Sequence, residues 1–523
     1  MPDAAAKHRP KIEDTSFLFW FGKVPLVTST IAGALPIADA SREKLNRHIG
    51  NFIYGEIRPA VSGKTMPVIE PSTGEAVAEA SDSGPRDVDV AATAARTAFD
   101  DGRWRTLPPF QKEAVLRRFA ELVGANREVF MDLDMVDNGM PRVVAEYHVS
   151  LQDEVLNYYA GWPSKLDGTV HPSDDGVLVF TKKNPVGVVA AIVPWNGPAT
   201  SALWKVAPAL AAGNSVVLKP AEHTPMSGLF LAELAIEAGV PPGVFNVVQG
   251  AGAVAGAALV EHRAIDKITF TGSTATGRAI LHAAAASFKR VTLELGGKSP
   301  NIVFADADLE AAAQGALATA WANSGQTCIS GSRLIVERPV HDALLDKLIT
   351  YTKAGITLGN GFDPNTTMGP LISAPQLERV CGYIELGKRE GASLALGGDR
   401  WGDRGYFVNP TIFAGVRNDM RIAREEIFGP VLSVIPFDTE EEAFAIGNDT
   451  DYGLGGALWT RDVDRALRGA AAIHAGTVWV NTYAELQSNV GFGGVRQSGL
   501  GRELGAGGID AMTETKTVYM RHR

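Results

Sequence analysis

The chain has 523 residues, of which 45% are hydrophobic and 21% charged. That is ordinary globular composition, long enough for two or three domains with large cores. A formal charge of −10 argues against nucleic acid as the default partner, and two distant cysteines, Cys328 and Cys381, exclude a disulfide-rich scaffold and fit a reducing, cytoplasmic setting. There is no CxxC pair, HExxH helix or GxSxG elbow, so a metal site and a serine hydrolase both lack support.

Residues 1–50 form an N-terminal extension. Ser16 to Phe21 is a short, very apolar patch, and Val24 to Ala38 is a second uncharged run interrupted by Pro25 and Pro36. Neither reaches membrane-spanning length, so no integral membrane segment is expected. A signal peptide, an arm over a neighbouring surface or subunit, and a peripheral membrane contact all stay open. Asn51 to Glu56 and Met66 to Ile69 read as strands joined at Ser62-Gly63, and Pro71 to Glu75 reads as a turn. Asp87 to Phe99 has helical spacing. Phe110 to Val123 is amphipathic, with Val115, Phe119, Leu122 and Val123 on one face and Lys112, Arg117 and Arg118 facing water. Leu166 to Lys183 carries strand-like runs around Asp174-Asp175-Gly176, a hairpin signal.

A parallel βαβ pattern follows. Val188 to Val193, Asn214 to Leu218, Asn246 to Val248 and Ile268 to Phe270 are apolar runs that alternate with helical stretches such as Ser227 to Glu237 and Val254 to Glu261. Ligands bind beyond the C-terminal ends of such strands. Those ends carry Pro194-Trp195-Asn196, Lys219-Pro220-Ala221-Glu222, the glycines Gly250, Gly252 and Gly256, and the turn Gly272-Ser273 through Gly277. The last is not the GxGxxG spacing, but a Gly-Ser-Thr turn between strand and helix can present N–H groups to a phosphate.

The Ala-rich run Leu309 to Asn323 is expected to be helical and to stop at Ser324-Gly325. It leaves Cys328 on a turn, where a thiol near backbone N–H groups can ionise and attack carbon. A lone cysteine is more often a small buried hydrophobe. Its companions argue otherwise: Leu293-Glu294-Leu295-Gly296-Gly297-Lys298-Ser299-Pro300 upstream and Glu426-Ile427-Phe428-Gly429-Pro430 downstream. With these motifs, the sequence from about Asn51 to its end resembles the NAD(P)+-dependent aldehyde dehydrogenases.

The resemblance implies an α/β fold, with a Rossmann-type cofactor domain (51–164 and 189–293), an α/β catalytic domain (294–503) and a small β oligomerisation arm (165–188 and 504–523). The arm implies a homodimer or homotetramer. Cys328 would attack the aldehyde, Asn196 and the Cys328 backbone N–H would stabilise the oxyanion, and Glu294 would activate water. A retained Glu294 implies the hydrolytic branch rather than transfer to coenzyme A. NAD would be held by Trp195, Lys219, Glu222, Gly252, Gly256, Gly272, Ser273, Leu295, Glu426 and Phe428. The Glu222 carboxylate would repel a 2′-phosphate, which favours NAD+ over NADP+. Gly296 and Gly297 would leave room for the cofactor.

Gly197, Trp204, Ala322, Thr327 and Phe492 would line the substrate pocket. The family often has aromatic rings where this chain has Gly197 and Ala322, so a wider tunnel is expected, suited to a bulky hydrophobic or aromatic aldehyde. Gly491 stands in place of a usual proline, which predicts a more mobile loop. Two rival readings are a cysteine thioesterase or amidase and a non-catalytic dinucleotide-binding protein.

Overall fold

The structure is a computed structural model and describes residues 35–522; the apolar patch at Ser16 to Phe21 lies outside the described residues. Two sheets dominate. The first has eight strands in the order Gly499–Leu500, Arg290–Glu294, Lys267–Thr271, Val188–Ile192, Ser215–Lys219, Phe245–Val247, Asn51–Ile53 and Glu56–Arg58. Its five middle strands run parallel, and the edge pairings are antiparallel. The middle strands are continuous apolar runs because helices cover both faces. Alternate residues serve opposite faces: Val188, Ala190 and Ile192 pack in one core, Val189 and Ala191 in another.

The second sheet has seven strands in the order Ser393–Leu396, Thr411–Ala414, Val431–Phe437, Arg333–Glu337, Pro300–Val303, Gly455–Trp459 and Thr477–Val480. It is parallel except where Ser393–Leu396 pairs antiparallel with Thr411–Ala414. One hydrophobic core runs from the first sheet to the second, joining Val216 and Leu218 to Val303, Leu334 and Val434. A third, separate sheet pairs Val177–Pro185 with Thr513–Arg521 and with Val170–His171.

Several details differ from the sequence reading. The chain reverses at Tyr54-Gly55, where both residues have positive φ (59° and 84°), so Asn51–Ile53 and Glu56–Arg58 form a two-residue hairpin instead of one strand. Thr65–Glu70 then pairs with Glu75–Ser81 across the Pro71 turn. Lys112 is buried, not water-facing; its ammonium donates to the Arg105 carbonyl. Residues 35–50 pack onto the body of the protein. Leu35, Ile37, Leu45 and Ile49 enter the core, Ser41 Oγ donates to Asp132, and Lys44 and Arg47 pair with Glu233.

Candidate active site

The first element of the site is the turn after the central strand. Asn138 Nδ2 donates to the Trp195 carbonyl at 2.8 Å. Asn196 Nδ2 donates to the Gln326 carbonyl at 2.9 Å, and Asn323 Nδ2 donates back to the Asn196 carbonyl at 3.0 Å. These reciprocal amide bonds lock the first sheet's turn to the cysteine loop.

That loop has a special backbone. The helix Leu309–Trp321 ends two residues earlier than the Ala-rich run predicts. Asn323, Ser324 and Gly325 then follow one another with φ of 45°, 58° and 70°. The left-handed region costs a non-glycine residue about 1–2 kcal/mol. Ser324 Oγ offsets this by donating to the Gly369 carbonyl at 2.7 Å, and Asn323 by its bond to Asn196. Gln326, fully buried, accepts the Ile372 N–H and donates to the Asn323 carbonyl.

Trp195, Asn196, Gly272, Ser273, Leu295, Cys328, Glu426 and Phe428 line one cavity of about 310 Å³. The Phe428 ring meets Trp195 edge-on, with centroids 5.3 Å apart. Gln376 and Arg379 line the same cavity and hold the backbone around Phe428; Gln376 Nε2 donates to its carbonyl at 2.7 Å. Glu426 Oε1 accepts the Gly297 N–H at 3.0 Å, and burial raises the Glu426 carboxyl to about 7. A Cβ at Gly296 would lie 2.1 Å from Glu426 Oε2, and one at Gly297 would lie 2.6 Å from the Cys328 carbonyl. The glycine pair therefore makes room for the protein's own carboxylate and cysteine loop, not only for a cofactor.

Cys328 is half-buried, and its thiol is pushed up to about 12 by burial and by the charges of Glu426 and Glu294. These surroundings oppose ionisation of the thiol on its turn.

Lys219, Glu222, Gly252 and Gly256 also come together. Lys219 Nζ lies 3.2 Å from Glu222 Oε2, with the lysine buried and the carboxylate partly exposed. Glu222 Oε2 passes 3.8 Å from where a Gly252 side chain would start, and the Lys219 stem 4.0 Å from that of Gly256. Ser273 caps the helix Thr274–Ala285, its Oγ accepting the Thr276 N–H at 3.2 Å. Leu295 packs over Gly277 in the first turn of that helix.

Glu294 ends its strand and is buried beside the cavity, not among its wall residues. Among the described residues no side chain bonds to either carboxyl oxygen, and only the Gly494 backbone N–H acts on it. Burial and the neighbouring Glu503 raise its carboxyl well above the usual range. A Cβ on Gly493 would come within 2.4 Å of Glu294 Oε1, so that glycine is what lets the carboxyl lie there. Next to it Lys205, fully buried, pairs with Glu503 and donates to Thr271 Oγ1, itself a cavity residue, at 2.7 Å.

The expected substrate residues fall in two groups. Trp204 and Phe492 meet edge-on at 5.5 Å, and Phe492 exchanges both backbone hydrogen bonds with Glu503, which pins the loop one residue after Gly491. Thr327 Oγ1 donates to the Ala322 carbonyl, and Ala322 borders a second cavity of about 460 Å³ that also touches Val143, Val144 and Leu317. Gly197 does not open space. A Cβ there would lie 2.7 Å from His148 Cε1, so an imidazole from another helix already fills the place of the missing ring.

His148, Gln376, Arg379, Lys205 and Glu503 escaped the sequence reading. Only Lys205 left a trace. A lysine in the apolar helix Pro198–Ala212 needs a buried counter-charge, though the sequence does not say which one.

Fold and cavity together define an α/β protein with a Rossmann-like sheet, a second, mostly parallel sheet and a thiol in the cavity wall. Residues 58–518 match the model of the aldehyde dehydrogenase family. The chain is 44% identical over 500 residues to human mitochondrial aldehyde dehydrogenase, covering 95% of this chain and 96% of that one. Among solved structures it is similar to an NAD+ complex of the Bacillus cereus aldehyde dehydrogenase (TM-score 0.91, 44% identity, 93% of this chain and 99% of that one). It is also similar to a P. syringae indole-3-acetaldehyde dehydrogenase variant complexed with NAD+ and IAA (TM-score 0.89, 42% identity, 94% and 98%). The chain belongs to the aldehyde dehydrogenase family.

Proposed function

We propose that this protein oxidises a bulky, largely hydrophobic or aromatic aldehyde to its carboxylate with NAD+. The observation that carries the reading is the single cavity in which Cys328, Asn196, Glu426, Phe428 and Ser273 meet. The residues suit the dinucleotide. Glu222 and Lys219 offer a carboxylate and an ammonium to ribose hydroxyls, and the carboxylate disfavours a 2′-phosphate. Ser273 stands at a helix N-terminus where backbone N–H groups face anions. Gly252, Gly256 and Gly272 present backbone without side chains, Leu295 and Trp195 wall the cavity, and Glu426 and Phe428 lie on the Cys328 side. The NAD+ in the similar structures supports the same cofactor here. Bound there, NAD+ supplies the electrophile that takes two electrons and the aldehyde hydrogen.

The chain's own residues do the rest. Cys328 Sγ gives up its proton to water and bonds to the aldehyde carbon, and the Asn196 amide and the Cys328 N–H stabilise the oxyanion. After oxidation Sγ holds the acyl group as a thioester. Glu294 takes a proton from water, water attacks, and the thiol leaves. The balance is aldehyde, NAD+ and water to carboxylate, NADH and two protons. A hydrolase working through Cys328 alone would leave the Lys219, Glu222 and Ser273 cluster without a task.

Gly197 adds no volume, so the case for a bulky substrate rests on Ala322; the cavity that Ala322 borders shares no wall residue with that of Cys328. The indole-3-acetaldehyde in the name of the P. syringae relative, an acetaldehyde bearing an aromatic ring, fits that size class. In domain terms, 51–164 with 189–293 would bind cofactor, 294–503 would carry the chemistry, and 165–188 with 504–523 would join copies as a dimer or tetramer. No described helix is long and apolar enough to cross a membrane. A cytoplasmic location is proposed on the free thiols.

NADH formation with an aldehyde panel tests the reading. Wild type is expected to turn over, and Cys328→Ala to make none. NADH from Cys328→Ala at the wild-type rate would refute the nucleophile. Glu294→Gln is expected to lose about 10²–10⁴-fold in kcat and to accumulate an acyl adduct visible by intact mass.

A further inference from the structure

The wall beside Asn196 holds polar atoms that the reaction above does not use. Gly197, Thr200, Ser201 and Trp204 share one face of the turn and helix that follow Asn196. Opposite stands the helix Arg142–Ala160 with His148 and Gln152. His148 Nδ1 lies 3.2 Å from Thr200 Oγ1. Thr200 Oγ1 also stands 3.2 Å from the His148 carbonyl in donating geometry, and Gln152 Nε2 donates to it at 3.5 Å. A Thr200 proton spent on that carbonyl leaves Oγ1 to accept from His148 Nδ1, and Nε2 with a lone pair. Burial lowers the imidazole to about 4, which keeps it neutral in any ordinary assay. The described residues give Nε2 no partner. Nε2 is bonded to Cε1, the atom that occupies the space over Gly197. Farther along the same face, the buried Trp204 Nε1–H has no acceptor among the described residues.

The Nε2 acceptor calls for a ligand group that can donate. A hydroxyl is the smallest such group, whereas a methyl or a bare ring edge would leave Nε2 unmatched. We propose that His148 is a specificity-determining residue whose Nε2 accepts a hydrogen bond from a hydroxyl on the body of the substrate, so that hydroxylated aryl aldehydes are preferred over their methyl analogues. This rests on the aldehyde-oxidising reading above and narrows its substrate class.

The test compares 4-hydroxybenzaldehyde with 4-methylbenzaldehyde as kcat/KM for NADH formation, in wild type and variants. The readout is the ratio of the two substrates, and comparing it between proteins cancels their intrinsic reactivities. His148→Phe keeps a ring over Gly197 and removes both nitrogens. Its hydroxyl-to-methyl ratio should fall about 10-fold, the size of one hydrogen bond to a buried group. His148→Gln, which retains an acceptor, should keep part of the ratio. Thr200→Val, which frees the tautomer without removing the imidazole, should lower it. A ratio unchanged in both His148→Phe and Thr200→Val overturns the inference, even where the methyl substrate still yields NADH. A wild type that makes no NADH from any aldehyde overturns the dehydrogenase reading first, and this one with it.

Discussion

At the scale of residues, the site is a set of groups held in the wrong charge state for immediate reaction. Burial and the Glu426 and Glu294 charges push the Cys328 thiol up to about 12, so it is mostly un-ionised at pH 7. The sign is clear: burial and two carboxylates disfavour the thiolate, so reactivity rises with pH until the thiol titrates. Alkylation of Cys328 by iodoacetamide is therefore expected to be slow at pH 7 and to climb about tenfold per pH unit. Added NAD+, which brings a positive nicotinamide, should accelerate it at fixed pH. Mass mapping of the Cys328 peptide with and without NAD+ checks both, and a fast, pH-independent reaction would contradict them. Sequence motifs pointed to Cys328, Asn196 and Glu426 because their chemistry needs those residue types. The actual proton affinities were not legible, since they depend on Glu294 and Glu426 converging from distant positions. His148 was illegible for a related reason. Only the folded chain brings it over Gly197.

At the scale of elements, the parallel strands were readable because full burial demands uninterrupted apolar runs such as Val188 to Ile192. The end of the cysteine helix was not. Asn323 and Ser324 leave helical geometry because the Asn196 and Gly369 carbonyls, remote in sequence, reward them for it. Gly325 completes the turn, and a Cβ there would sit 2.2 Å from the Gly429 carbonyl at φ 70°. Gly325→Ala should cost at least about 1–3 kcal/mol from backbone strain alone. Chemical denaturation measures it, and a midpoint equal to wild type would show that the turn relaxes freely. Activity should fall with it, because the residue lies three positions before the thiol.

At the scale of the whole molecule, the three-stranded sheet stands apart from both large sheets. Thr513 lies opposite Pro185 and Arg521 opposite Val177, and Tyr519 and Val170 are 75% and 71% exposed. Such uncovered strands favour pairing between copies. Deleting residues 513–523 leaves Val177–Pro185 without its long partner. Native mass spectrometry should then show a smaller assembly than the full-length protein; an unchanged mass would place the interface elsewhere. The hairpin signal at Asp174-Gly176 was legible locally, whereas its tail partner came only through family resemblance.

The late stretch from Phe492 to Glu503 binds the beginning of the enzyme to its end. Gly499–Leu500 closes the edge of the first sheet beside Glu294, and Glu503 neutralises Lys205 almost three hundred positions upstream. Folding during translation thus cannot finish the site early. A nascent polypeptide lacking those residues carries an uncompensated ammonium in its apolar centre and no backing for the Glu294 carboxyl. Premature termination should yield inert protein, not a weaker enzyme, and oxidation begins only once synthesis is nearly complete.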